Sequence, residues 1–521
     1  MKNIHYYIAM LAMLLLATLP MQAASEAEFG KLSKAYTLHI DGSQEMRVQK
    51  ELTLFTHAAM NGLYGESFII YNPEFQELKI HESYTRQKDG TIIKTPANAF
   101  VEVLLSAAAD APAYNGLKEM VVVHTGLELG ATIYLDYSVI TRPGYLPELD
   151  VCEQIEELSP IREYIFSLSV PENKSLHYEL LNGKSVPVVK TVGGVKTVTW
   201  TLKNVQPRPR MIDVSLPAGN VQAIVASTYA SKADALNVIK RQTGNNEKEI
   251  NELAQKLTAD AKNAEQKKQM LAAYVQGLGN CRLSLSQTGY RLRPAVEVIR
   301  SAYGTEAEKT ALLAALQGAV GVQPEIKAVF PKTKDQDAAG LAAVSGLFID
   351  SHAIADMQDF VSVVNMDAQP VILKPLSHTV SRTDTLNVLP QAGKSLGDGY
   401  RMFGLPQAHS GWAGYDAGAT TMNTTRPVNL LLRYLPDETY TCVINVADKM
   451  KPVVLPAAKK IENAIGTVEV TVEKAADKIK IARTLKLKKQ LITPVEYPAY
   501  YRLMAEWMDI DKTTLLFQTI E

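Results

Sequence analysis

The chain has 521 residues, 46% of them apolar, with 54 basic against 55 acidic side chains and a formal net charge of −1. The length exceeds one ordinary core and predicts two to four domains, while the apolar share excludes wholesale disorder. The charge balance gives no electrostatic case for nucleic acid or an acidic membrane surface, and three widely spaced cysteines, Cys152, Cys281 and Cys442, exclude a disulfide framework.

At the N-terminus Lys2 precedes an apolar run, Ile8 to Leu19, followed by Pro20 and the small residues Ala23, Ala24 and Ser25. A charged start, a short apolar region and small residues after it form the pattern of a secretory signal peptide over residues 1–24. A secreted or periplasmic location is expected. No later stretch reaches the roughly 18 uninterrupted apolar residues of a membrane span, so none is expected.

Residues 25–215 read as many short strands. Met46 to Thr56 alternates, with Val48, Leu52 and Leu54 among polar neighbours, and turn signals such as Lys88-Asp89-Gly90 and Asn182-Gly183 separate further candidates. Strands at this spacing predict a β-sandwich. A Pro-rich passage, Gln206 to Pro217, marks a boundary, and helical signals follow. Ser231 caps one helix, Ile250, Leu253 and Leu257 share a face of a second, and Met270, Leu271, Tyr274 and Val275 share a face of a third. A short strand at Cys281 to Leu285 comes next.

Pro294 to Phe330 reads as helix, tight turn, second helix and strand. Gly304 is expected to break the first helix. Thr305 caps the second, with Glu308 three residues on in a capping box. Leu312, Leu313, Leu316 and Val320 give that helix a buried face, and Gly321 ends it. Glu325 to Phe330, Gln358 to Val364 and Pro370 to Lys374 read as strands behind it, so that 216–388 forms an α+β unit. Residues 389–521 turn β again. Their clearest hairpin joins Thr467–Glu473 to Lys478–Lys488, and one short helix is expected at Tyr500 to Met508.

The turn Tyr303-Gly304-Thr305-Glu306, entering a helix and followed by strands, resembles the core of the transglutaminase-like superfamily, relatives of the papain-type cysteine peptidases. The N-terminal segment, through Leu127-Glu128-Leu129-Gly130-Ala131, Ser159-Pro160-Ile161-Arg162 and Val170-Pro171, resembles the β-rich domain of unknown function that precedes it in secreted bacterial proteins. The resemblance implies a nucleophilic cysteine on the first turn of the second helix, where the dipole would lower its pKa. Glu306 stands there instead. It implies a histidine opening a later strand, where Asp359 stands, and an aspartate closing the next strand, where Lys374 stands. All three roles of the mechanism are therefore expected to be lost, with Glu306 serving as a capping carboxylate.

Cys281 is the other thiol of this unit. Its placement on a strand favours a small buried apolar residue; the alternative is an enzyme, a thiol peptidase or acyl-transferase pairing Cys281 with His378 or His352. No histidine pair has zinc spacing, no Cys-x-x-Cys occurs, and no Gly-rich phosphate loop has strand–turn–helix context. No metal or cofactor is expected. Trp200, Trp412 and Trp507 read first as core aromatics and second as a sugar- or peptide-binding surface. The expectation is a non-catalytic envelope protein that binds a peptide, protein or glycan.

Overall fold

The structure, a computed structural model, describes residues 25–211, 216, 219–243, 247–349, 360–372, 378–406, 423–432, 435–475 and 477–520. The expected signal peptide, Asp359, Lys374, His352 and Trp412 lie outside these residues.

The N-terminal region is built on an eight-stranded sheet. Its order is Val188–Val192, Val195–Val205, Ile161–Pro171, Ala27–Leu38, Gln44–Leu54, Thr132–Thr141, Gln76–Arg86 and Ile92–Lys94. Ala27–Leu38 and Ile161–Pro171 pair in parallel, and the other pairs are antiparallel. Alternation turns one face of these strands inward. Leu52, Phe166 and Trp200 pack there against Ile224 and Ala226 of a three-stranded sheet formed by His177–Leu181, Ala223–Ser227 and Asp150–Gln154. Leu135 and Val139 pack against Ile69, Tyr71 and Val122 of a second small sheet, Glu66–Tyr71, Lys118–Val123 and Phe100–Leu104. Met46 and Tyr137 touch both clusters, so the two small sheets share one face.

Ala223–Ser227 was not foreseen, because all five of its residues are buried and no alternation betrays it. It pairs with strands far back in the chain, beyond the Pro-rich passage.

Helices follow: α1 (Lys232–Lys240), α2 (Lys248–Leu257), α3 (Ala264–Gln276), α4 (Ala295–Ser301) and α5 (Glu306–Ala319). Helix α5 is central. Leu312 and Leu316 pack with Ile250 of α2, Leu271 of α3 and Val298 of α4, while Ala307 and Ala314 face Ala328 and Phe330 of the strand Lys327–Pro331. That strand lies between Gly346–Phe348 and Val361–Asn365 in an antiparallel sheet. Beyond it, the segment expected as a strand from Pro370 contributes a single bridge, Val364 to Pro370, among the described residues.

The C-terminal region is a second sandwich. Val388, Ile444, Val470 and Ile481 of a five-stranded sheet pack against Phe403, Leu515 and Phe517 of a four-stranded one. The expected hairpin is present as Gly466–Lys474 and Lys478–Leu487, and helix α6 (Tyr497–Trp507) closes one end through Leu503, Met504 and Trp507. Trp200 and Trp507 are both buried, as core aromatics. No described helix is long and apolar enough to cross a membrane.

Candidate functional site

The site is organised by the turn between α4 and α5. Helix α4 ends at Ser301, and the left-handed position that ends it is Ala302, with φ of 59°, rather than the expected Gly304. Gly304 has another reason to be glycine. A Cβ there would lie 3.0 Å from Val298 Cγ1 and 3.3 Å from Glu308 Oε2. Tyr303–Thr305 forms a short strand parallel to Gly279–Cys281, with Cys281 opposite Thr305. Cys281 and Glu306, far apart in sequence, are thereby brought to one place.

The capping box is present. The Glu308 N–H donates to Thr305 Oγ1 at 3.2 Å and the Thr305 N–H donates to Glu308 Oε2 at 2.9 Å. The carboxylate that caps is thus Glu308 and not Glu306, which corrects the expectation for Glu306. Glu308 also accepts from the Arg293 N–H at 2.9 Å, from Arg293 Nε and Nη2 at 3.0 Å each, and from Tyr114 Oη at 2.5 Å. Its side chain is 0% exposed. Burial pushes its pKa up, but these donors outweigh it and hold the carboxyl below its ordinary range. The Arg293 guanidinium lies over the rings of Tyr303 and Tyr114, at 4.6 and 5.3 Å, and donates to Tyr303 O at 2.8 Å.

Glu306, two residues earlier, behaves differently. Among the described residues no hydrogen bond or ion pair reaches its carboxylate. The side chain is exposed and faces a cavity of about 760 Å³ between the start of α5, the Gly279–Cys281 strand and the Gly346–Phe348 strand. Its Oε1 lies 3.5 Å from where a Cβ on Gly346 would be, across that space. The surrounding walls displace water and raise its pKa. Lys309 also lines the cavity. Its ammonium is committed to Leu278 O at 2.9 Å and Asn280 Oδ1 at 2.8 Å, and burial lowers its pKa.

Cys281 lines the same cavity but is only 5% exposed. It packs with Leu283 and with Leu105, Ala108, Ala111 and Leu117 of the N-terminal region. Burial pushes its thiol pKa up, the opposite of what a nucleophile needs. All three cysteines are free. Burial raises Cys152 to about 12 and Cys442 to about 11. No histidine is among the described residues that line the cavity. The strand carrying His378 belongs to the C-terminal sheet, where His378 pairs in register with Pro436.

His177, Asp335 and Asp337 bring possible metal-ligating atoms within 4.8 Å of one another. His177 Nδ1 lies 3.0 Å from Asp335 Oδ2, and Asp337 accepts from the Lys232 N–H, so the contacts are explained without an ion. None of the three lines the cavity.

Comparison with known proteins adds the following. Residues 40–209 match DUF3857, a domain of unknown function with solved structure, and residues 401–517 match DUF3858, described in the same words. A crystal structure described as that of a "putative protease" from Parabacteroides distasonis is 40% identical, covering 95% of this chain and 99% of its own, with a TM-score of 0.87. The chain belongs to the family of that protein. An M1 zinc metallopeptidase from Deinococcus radiodurans matches at 13% identity over 39% of this chain and 42% of its own, with a TM-score of 0.21, too low to bear on fold or function. No curated protein matches the chain.

Proposed function

We propose that this is a transglutaminase-like protein of the cell envelope, exported by its N-terminal signal, that binds a peptide, protein or glycan in the cavity at the start of α5 without turning it over. The observation that carries the reading is Glu306. On the first turn of α5, a thiolate would be favoured by the helix dipole. A carboxylate stands there instead, facing the cavity. Support for a papain-type frame comes from the order helix, turn, central helix and antiparallel strands. Support for lost catalysis comes from the nearest thiol, Cys281, which is buried and held protonated.

The test is to incubate the folded protein with peptide and glutamine–amine substrates, then follow limited proteolysis with candidate envelope peptides and glycans. We expect no turnover and ligand-dependent protection of the central helices, weakened in Glu306→Ala and kept in Cys281→Ala. Turnover that Cys281→Ala abolishes would overturn the reading.

A second reading is a thiol peptidase or acyl-transferase using Cys281. Two observations favour it: Cys281 lines the cavity, and the relative 40% identical to this chain is described as a "putative protease". It requires rapid alkylation of Cys281 near neutral pH in the folded protein, which the raised thiol pKa opposes.

A further inference from the structure

The strands Phe100–Leu104 and Lys118–Val123 of the N-terminal region are joined by residues 105–117. This connection is long for neighbouring antiparallel strands, where two to five residues suffice. It does not wander. Ala108 donates to Leu105 O, Ala111 to Ala108 O, Tyr114 to Ala111 O and Leu117 to Tyr114 O, each at 2.9 Å. A chain of i to i−3 bonds puts every third residue on one side. That side, Leu105, Ala108, Ala111, Tyr114 and Leu117, is the one that packs on Cys281, Leu283 and Tyr303 of the central region. The residues between are mostly exposed.

The polar grip is equally local. Tyr114 Oη donates to the buried Glu308 carboxylate at 2.5 Å, and the Ala113 N–H donates to Tyr303 Oη at 2.8 Å. Burial beside that carboxylate raises the Tyr114 pKa, so its hydroxyl stays a donor throughout the physiological range. Both contacts land on the turn that aims Glu306 into the cavity. Between the two leucines at its ends, the connection holds on through two alanine methyls and Tyr114. Alanines bury little apolar surface, so the middle of the span depends on the tyrosine. Other contacts hold the two regions together independently: Arg291 lies over the rings of Phe75 and Tyr145, and the Ala342 N–H donates to Asp150 Oδ2 at 3.0 Å.

We propose that the N-terminal domain backs one wall of the cavity of the central one: residues 105–117 are a strap that fixes the Tyr303–Glu308 turn and seals the Cys281 wall from behind, and loosening the strap opens that wall without unfolding either domain. Tyr114 is a positioning residue in this device. The inference uses the cavity as described and does not depend on what binds in it.

The experiment is iodoacetamide labelling of the full, folded chain, with the rate at each cysteine read by mass spectrometry, in wild type, Tyr114→Phe and Ala111→Glu. Cys442, in the C-terminal sandwich, is the internal reference. Losing one hydrogen bond to a buried charge should raise the labelling rate of Cys281 on the order of tenfold in Tyr114→Phe, with Cys442 unchanged. Ala111→Glu should raise it further. If Ala111→Glu does not fold, Tyr114→Phe decides alone. An unchanged Cys281 rate in Tyr114→Phe overturns the proposal, because the wall then does not depend on the strap. A rise shared equally by Cys442 also overturns it, because opening is then global.

Discussion

Arg293 in the central region and Lys50 in the N-terminal sandwich are both cations taken out of water, and they differ in how completely they are answered. Arg293 donates to Glu308, Ser301 Oγ and Tyr303 O, and its pKa is raised despite burial. Lys50 reaches one described partner, Ser67 Oγ at 2.5 Å, and burial lowers its pKa to about 8. Ser67 in turn lies 2.7 Å from His124 Nε2, while His124 Nδ1 is buried with no partner. Burial and the nearby Lys50 push His124 down to about 3. A fully satisfied buried charge stays charged and locks what it touches. A partly satisfied one holds its proton less tightly and makes the surrounding fold sensitive to pH.

The largest effect should come from breaking the satisfied network. Glu308→Ala leaves the Arg293 guanidinium buried without its counter-charge, and this should cost about 3–5 kcal/mol. The check is the unfolding midpoint in urea, with hydrogen exchange along α5 locating the loss. Replacing both partners, Glu308→Leu with Arg293→Met, should recover only part of it, because the unpaired charge is gone while the Thr305 and Arg293 N–H groups and Tyr114 Oη still lose their acceptor. A loss below about 1 kcal/mol in Glu308→Ala would mean that the turn is held by packing alone.

The second effect tests the unsatisfied side. The folded-state pKa of His124 is depressed from an ordinary value near 6.5 to about 3. Between those values the unfolded chain binds the proton and the folded chain does not, so this group's contribution is fully present above pH 6.5 and is lost as pH falls toward 3. The size is roughly 5 kcal/mol over that window. Asp150 runs the other way. Burial raises it to about 7, so its contribution is present below pH 4 and is lost as pH rises to 7. Urea midpoints measured from pH 7 to pH 4 in wild type and His124→Gln separate the two. The variant should lose less stability on acidification, and equal slopes would break the comparison.

The two networks were not equally legible in the sequence. Residues 46, 48, 50, 52 and 54 share one face of a strand, so the alternation that turned Val48, Leu52 and Leu54 inward also placed Lys50 inside. That signal was available and local. The Thr305–Glu308 box was legible for the same reason, since both residues sit within one turn. What could not be read was the set of partners. Tyr114 meets Glu308 across 194 residues, and no periodicity carries such a contact. The strap was silent too: its period of three arises from i to i−3 turns in an Ala-rich loop that has no alternation and no helical face. The all-buried Ala223–Ser227 strand was missed for the converse reason, since a strand covered on both faces has no pattern to show. Glu306 was singled out by its place in the resembled turn and Cys281 as the other thiol of the unit, and only the parallel pairing of two three-residue strands shows that they share a wall.

The smallest effect sharpens the contrast most, because it compares two carboxylates on one turn. Glu306→Gln removes a charge that no described residue answers. The helix dipole makes the charge favourable by about 0.3–1 kcal/mol, and the desolvation that raises its pKa works against it. The two should nearly cancel, so stability should change by no more than about 0.5 kcal/mol, against several for Glu308→Ala two residues on. A urea midpoint is enough to measure this. A near-zero change leaves Glu306 free of structural duty, and its carboxylate is then available to whatever enters the cavity. A loss approaching that of Glu308→Ala would make Glu306 part of the frame, and the binding role proposed for it would fall.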